Sequence, residues 1–158
     1  MSVPSAQDQA IEAIARQAVA EVSPAELPIF SATAARYRAD PQGTLAASPV
    51  GDRALGFGIE AAVVLVTPYA LELVKRIFKR LSEKVGDSAG DSLADRITSH
   101  FGGKPDAAAA PPHPEPLTPE QLALISETTR TEAADLALAP AESERLADAV
   151  VAALATRT

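Results

Sequence analysis

Residues 58–86 read GIEAAVVLVTPYALELVKRIFKRLSEKVG, and this stretch carries the longest apolar run of the chain. Its apolar residues Ile59, Val63, Val66, Ala70, Leu73, Val74, Ile77, Leu81 and Val85 recur at steps of three and four. That spacing lays them along one stripe of an α-helix. The β-branched group Val63, Val64, Val66 and Thr67 would also suit a buried strand. The stripe continues in phase to Val85, which is too long for a strand and decides for helix. The spacing therefore predicts a central helix over 59–85, kinked at Pro68, whose ring removes a backbone donor and displaces the carbonyl four residues earlier. From Lys75 onward the opposite face turns basic, with Lys75, Arg76, Lys79, Arg80 and Lys84.

The chain on either side reads as helix as well. Ser5 and Asp8 have capping-box spacing and open a helix with Ile11, Ile14, Ala18 and Val22 on one face. Ser23-Pro24-Ala25-Glu26 repeats that spacing with proline at the first helical position, and Val22 is placed to staple to Leu27. Pro28 comes late enough to predict a 3₁₀ first turn before Ile29, Phe30, Ala34 and Tyr37 extend the stripe. Asp40-Pro41 ends that helix, because the residue before proline leaves the α region. Residues 42–53, with two glycines and a proline, read as a connecting loop. Asp91 caps a short helix with Leu93, Ile97 and Phe101. Residues 104–116, KPDAAAAPPHPEP, have the composition of an extended, mobile linker. Thr118-Pro119-Glu120-Gln121 then opens a further helix carrying Leu122, Ile125, Ala133 and Leu136, and Pro140 opens another carrying Leu146, Val150, Ala153 and Leu154. The organisation expected is all-α: a helical region over 1–103 around the central helix, a Pro/Ala linker over 104–116 and a helical hairpin over 117–158. A hairpin of that size rarely folds alone. It is expected to dock on the N-terminal region, on a second copy or on a partner.

Composition narrows function. Alanine dominates the apolar content and aromatics make up only 4% of 158 residues, so a core must rest on few large side chains. The net charge of −7 opposes nonspecific attraction to nucleic acid. Its distribution is uneven: residues 51–102 balance seven positive against seven negative charges, whereas 103–158 carry four against nine. With no cysteine there is no disulfide or thiolate chemistry. Residues 1–17 lack a basic leader followed by an apolar core, which predicts no Sec-type export and a cytoplasmic protein, peripheral or integral at the inner face of the membrane in the alternative below.

Catalytic motifs do not assemble. Gly56-Phe57-Gly58 has no third glycine and no lysine, so it reads as a close backbone approach rather than a phosphate loop. His100 and His113 have no spacing toward a metal site, and no serine has an elbow context. The expectation is a non-enzymatic interaction or assembly module without cofactor, metal or small-molecule substrate, whose partner is another protein or a second copy. Its candidate contact residues are Val63, Val66, Tyr69, Leu73, Lys75, Arg76, Ile77, Lys79, Arg80 and Lys84. The alternative from another class is a membrane-associating protein using residues 54–85, with the apolar part inserted and the cations at anionic headgroups. Against a full span, Glu60 and Glu72 bound the charge-free run Ala61–Leu71, and each would cost about 3 kcal/mol at a bilayer centre. Pro68 leaves a carbonyl that lipid could not satisfy. The basic face reads otherwise as solvated, with Glu72 and Arg76 at an i, i+4 pairing distance.

At Glu26-Leu27-Pro28-Ile29-Phe30, Arg36-Tyr37, Asp40-Pro41, Leu55-Gly56-Phe57-Gly58 and Thr67-Pro68 the chain resembles small helical segments of uncharacterised actinobacterial proteins. The resemblance covers roughly residues 23–80. It implies no activity and carries over no functional residue.

Overall fold

The computed structural model describes residues 5–46, 66–84, 97–98, 118–136, 138 and 140–156. Among these, every regular element is helical: α1 (Ala6–Val22), a 3₁₀ turn (Pro24–Ile29), α2 (Phe30–Ala39), α3 (Pro41–Ala46), α4 (Val66–Lys84), α5 (Pro119–Ala134) and α6 (Pro140–Thr156). The all-α class follows from the sequence as expected.

Two helix starts form by the local chemistry their residues announce. The Ser5 hydroxyl accepts from the Asp8 amide at 3.1 Å while the Asp8 carboxylate accepts from the Ser5 amide at 3.0 Å. Thr118 and Gln121 do the same at 3.2 and 2.9 Å. Each box satisfies two backbone donors that a helix start otherwise leaves open. Pro24–Ile29 is 3₁₀, as Pro28 predicts. Residues 42–46, expected as the start of a loop over 42–53, belong instead to the helix Pro41–Ala46. Asp40 explains this: its Oδ1 accepts from the Gly43 amide at 3.0 Å, and its carbonyl accepts from the Thr44 amide and hydroxyl. A Cβ on Gly43 would lie 2.0 Å from Asp40 Oδ2, so a larger residue there would push the aspartate carboxylate aside.

Among the described residues, four helices form the core. α1, α4, α5 and α6 pack as a ring in chain order, each against the next and α6 back against α1, while α4 and α6 meet weakly across the diagonal. Glu26, just past the end of α1, reaches the start of α4, so these two run antiparallel. Arg80 and Glu132 pair near the C-terminal ends of α4 and α5, so these run parallel. α2 and α3 lie against α4 outside this ring.

The stripe predicted for the central helix is the centre of the core. Ala70, Leu73, Val74, Ile77, Phe78 and Leu81 are buried, facing Ile14, Ala18 and Val19 of α1, Ile125 of α5 and Leu146, Val150 and Leu154 of α6 in one continuous cluster. Phe30, Ala34 and Tyr37 close one side from α2. Ile97, helical with Thr98, is also buried. Ile29, expected on the buried stripe, is 45% exposed, because the 3₁₀ turn puts it out of phase with α2. The described central helix begins at Val66, so Pro68 falls in its first described turn, a position where a missing amide leaves no helical bond unmade. The expected helix over 59–65, the loop 47–53, Gly56-Phe57-Gly58, the linker 104–116 and the staple at Leu117 lie outside the described residues.

Candidate interaction surface

The cations of α4 sort into two classes. Arg76 Nε donates to Glu72 Oε1 at 2.8 Å, the pairing that i, i+4 spacing predicts. Arg80 Nε donates to Glu132 Oε1 of α5 at 2.7 Å, with Glu83 a looser neighbour at 3.8 Å. The Glu132 side chain is 7% exposed and the Glu72 side chain 12%, so both arginines neutralise carboxylates held out of water. The Glu132 hydrogen bond and charge push the Arg80 pKa up further. The lysines differ. Lys75 is exposed, with its ammonium 5.8 Å from the centre of the Tyr37 ring, and Lys79 is exposed without an ion pair among the described residues. A shallow polar depression of about 280 Å³ opens beside them, lined by Arg76, Lys79, Arg80, Glu83, Glu132 and Asp135.

The ten candidate contact residues therefore do not form one surface. Tyr69, Leu73 and Ile77 lie in the core, Val66 is half-buried, and only Lys75, Arg76, Lys79 and Arg80 reach the outer face together. Val63 lies outside the described residues, as does the Lys84 side chain. Arg36 and Arg38, exposed in the last turn of α2, extend the basic character beyond α4. Arg38 is paired with Glu12 of α1 at 2.6 Å.

Behind this face sits a hydrogen-bonded cluster. The Tyr37 hydroxyl donates to Glu72 Oε2 while Arg76 holds Oε1. Burial, the Glu72 hydrogen bond and its negative charge push the Tyr37 phenol far above its usual range. Burial alone would raise Glu72, but the hydrogen bonds from Tyr37 and Arg76 and the charges of Arg76 and Lys75 outweigh it and hold the carboxyl below the ordinary range. The pH dependence follows. A carboxyl depressed in the folded state stabilises above its unfolded pKa of about 4.3 and loses that contribution as pH falls through the folded value. Tyr37→Phe removes one hydrogen bond to a charged acceptor and should cost about 1.5 kcal/mol at pH 7. In urea unfolding at a series of pH values, the gap between Tyr37→Phe and the parent should narrow below pH 4 as Glu72 takes up its proton. A gap unchanged from pH 7 to pH 3 would show that the charged bond contributes nothing.

The second charged anchor is Glu26, 2% exposed. Its side chain accepts from the Val66 amide at 2.7 Å, the Thr67 amide at 2.9 Å and the Thr67 hydroxyl at 2.6 Å. The expected local capping box at Ser23 is thus absent: the Ser23 side chain makes no capping bond, and Glu26 caps α4, forty residues away, instead. Spacing alone could not reveal this, because a glutamate at the third helical position is chemically fit for either partner.

At the α5–α6 corner a cleft of about 450 Å³ is lined by Ala133, Ala134, Leu138, Pro140 and Ala147, with Arg130 and Glu144 also lining it. Ser143 donates to the Ala133 carbonyl there at 2.7 Å and ties the two helices. Among the described residues no helix is long and apolar enough to cross a membrane, and no group of His, Asp or Glu is placed to hold a metal ion. No protein-family model, no curated protein and no solved structure matches the chain.

Proposed function

We propose that this chain is a non-enzymatic helical interaction or assembly module whose contact face is the outer side of α4, and that its partner is an acidic protein surface. The observation that carries this reading is the division of labour among four neighbouring cations. Arg76 and Arg80 are occupied by buried carboxylates, whereas Lys75 and Lys79 stand on the outside of a helix fixed by the core. Two lysines on a rigid support meet a complementary surface with little ordering cost, and their charge sets association rate and partner choice. The absence of cysteine suits a reducing, cytoplasmic setting. The membrane alternative keeps the same lysines but is weakened by the burial of the apolar stripe of α4, which leaves only electrostatic contact to that helix.

The test follows from that division. Lys75→Gln/Lys79→Gln should melt within about 2 °C of the parent, since exposed substitutions change stability by roughly 0.5 kcal/mol or less. It should lower affinity for a glutamate-rich helical peptide about tenfold at low salt, with the loss shrinking as salt rises. Equal binding by parent and variant sinks the proposal. Flotation of the parent, but not the variant, with phosphatidylserine vesicles would transfer the face to the membrane reading.

A further inference from the structure

We propose that the outer face of α2, with the 3₁₀ turn before it, is a docking surface for an acidic amphipathic helix of a partner protein, anchored by Ile29. The proposal rests on the acidic-partner reading above and adds an apolar contact to its charge. Among the described residues Ile29 is the one large apolar side chain that is exposed. It does not stand alone. Pro24, Ala25 and Pro28 of the same turn are exposed with it, and the only polar member of Pro24–Ile29, Glu26, is turned inward onto the Val66 and Thr67 amides. The turn therefore offers water no polar side chain.

The anchor is fixed in place before any partner arrives. Two prolines set their own φ angles, and the Glu26 bonds hold the turn to α4. Phe30, next to Ile29, is buried, with the Arg16 guanidinium 5.8 Å from its ring centre. A rigid anchor loses little freedom on binding. Beyond Ile29, Ala32 and Arg36 follow at steps of three and four on the same side of α2, and both are exposed. Such steps form the seam along which a second helix packs, and alanine lets two backbones come close. α2 runs in the direction of α4, since Glu26 meets Thr67 and Tyr37 meets Glu72. Arg36, and Lys75 over the Tyr37 ring, therefore stand about 10 Å further along from Ile29. Neither is engaged in a salt bridge among the described residues. An acidic amphipathic helix matches both features, with leucine-like residues over Ile29 and Ala32 and carboxylates at Arg36 and Lys75. A bilayer matches less well, because alanine and proline give it little area to take up.

Two helical peptides test this on the full chain, one rich in glutamate alone and one with the same glutamates two turns from a pair of leucines. The parent should bind the leucine peptide about tenfold more tightly, and that gain should survive about 0.5 M salt, which screens charge and spares apolar contact. Ile29→Ser and Ala32→Gln, exposed changes that should melt within about 4 °C of the parent, should each abolish the gain and leave the glutamate peptide bound as before. Lys75→Gln/Lys79→Gln should weaken both peptides instead. Equal binding of the two peptides by the parent, or a gain that survives Ile29→Ser, overturns the docking surface; the lysine face then stands or falls on its own variant. A fall of more than about 10 °C in Ile29→Ser would show that the chain itself covers Ile29, and overturns it as well. Flotation with phosphatidylserine vesicles that depends on Ile29, without any leucine gain, would assign the turn to a membrane and refute the helical partner.

Discussion

A chain ended before Thr118 is expected to lose its cooperative unfolding transition altogether. Without α5 and α6 the inner faces of α1 and α4 meet water, including Ile14, Leu73, Ile77 and Leu81, each fully or almost fully buried in the intact chain. Exposing a Leu or Ile costs about 2 kcal/mol. Four such residues already consume most of the 5–15 kcal/mol that holds an ordinary domain folded. Thermal and urea unfolding by circular dichroism would show a shallow, non-cooperative loss of helix, and the exposed face would bind a hydrophobic dye. The isolated segment 118–158 should be largely unfolded by the same measure, since two helices of this length are marginal in water. If 1–117 instead unfolds in one sharp transition near the parent midpoint, the C-terminal pair is an appendage and the four-helix core is wrong.

That experiment addresses what the sequence leaves open, namely which of the expected surfaces the C-terminal hairpin docks on. Residues 104–116 have linker composition, and a linker suggests a boundary. Composition describes only the connection, however, and says nothing about where the chain goes after it. The stripes of α5 and α6 are legible as Ile125, Ala133, Leu146, Val150 and Leu154, and all are buried. What the stripes face is set by shape across the bundle, for which no local pattern exists. The same rule divides the polar residues. Ser5 with Asp8, Thr118 with Gln121 and Glu72 with Arg76 lie within four positions of each other, and each pair forms as its spacing implies. Glu26 with Thr67, Tyr37 with Glu72 and Arg80 with Glu132 are separated by 41, 35 and 52 positions, and nothing near either member announces the other. The basic run after Lys75 was visible as a run. Its division into two occupied arginines and two outward lysines required those distant carboxylates. A variant changing all four cations together would therefore confound partner loss with unfolding.

Glu26→Ala is expected to lower stability by about 3 kcal/mol. The carboxylate is buried and serves three donors at the start of α4. Loss of an N-terminal cap alone costs about 1 kcal/mol. Here the acceptor is charged and faces the positive end of the helix dipole, which strengthens each bond. The Val66 and Thr67 amides would also remain enclosed without an acceptor, and that desolvation is the larger part of the loss. For a chain of this length, 3 kcal/mol corresponds to about a 10 °C fall in melting temperature. Glu26→Gln separates charge from shape. Its single carbonyl oxygen can serve one side of the cap, while its amide group turns a donor toward donors, so about half of the loss should remain. If Ala and Gln both melt within 2 °C of the parent, the helix start is held by packing of Leu71 and Phe78 further along α4 rather than by its cap. Hydrogen exchange gives the finer reading. Loss of the cap should speed exchange at Val66 and Thr67 well before it affects Val74 or Ile77, because the first turn opens locally while the core of α4 opens only with the whole bundle.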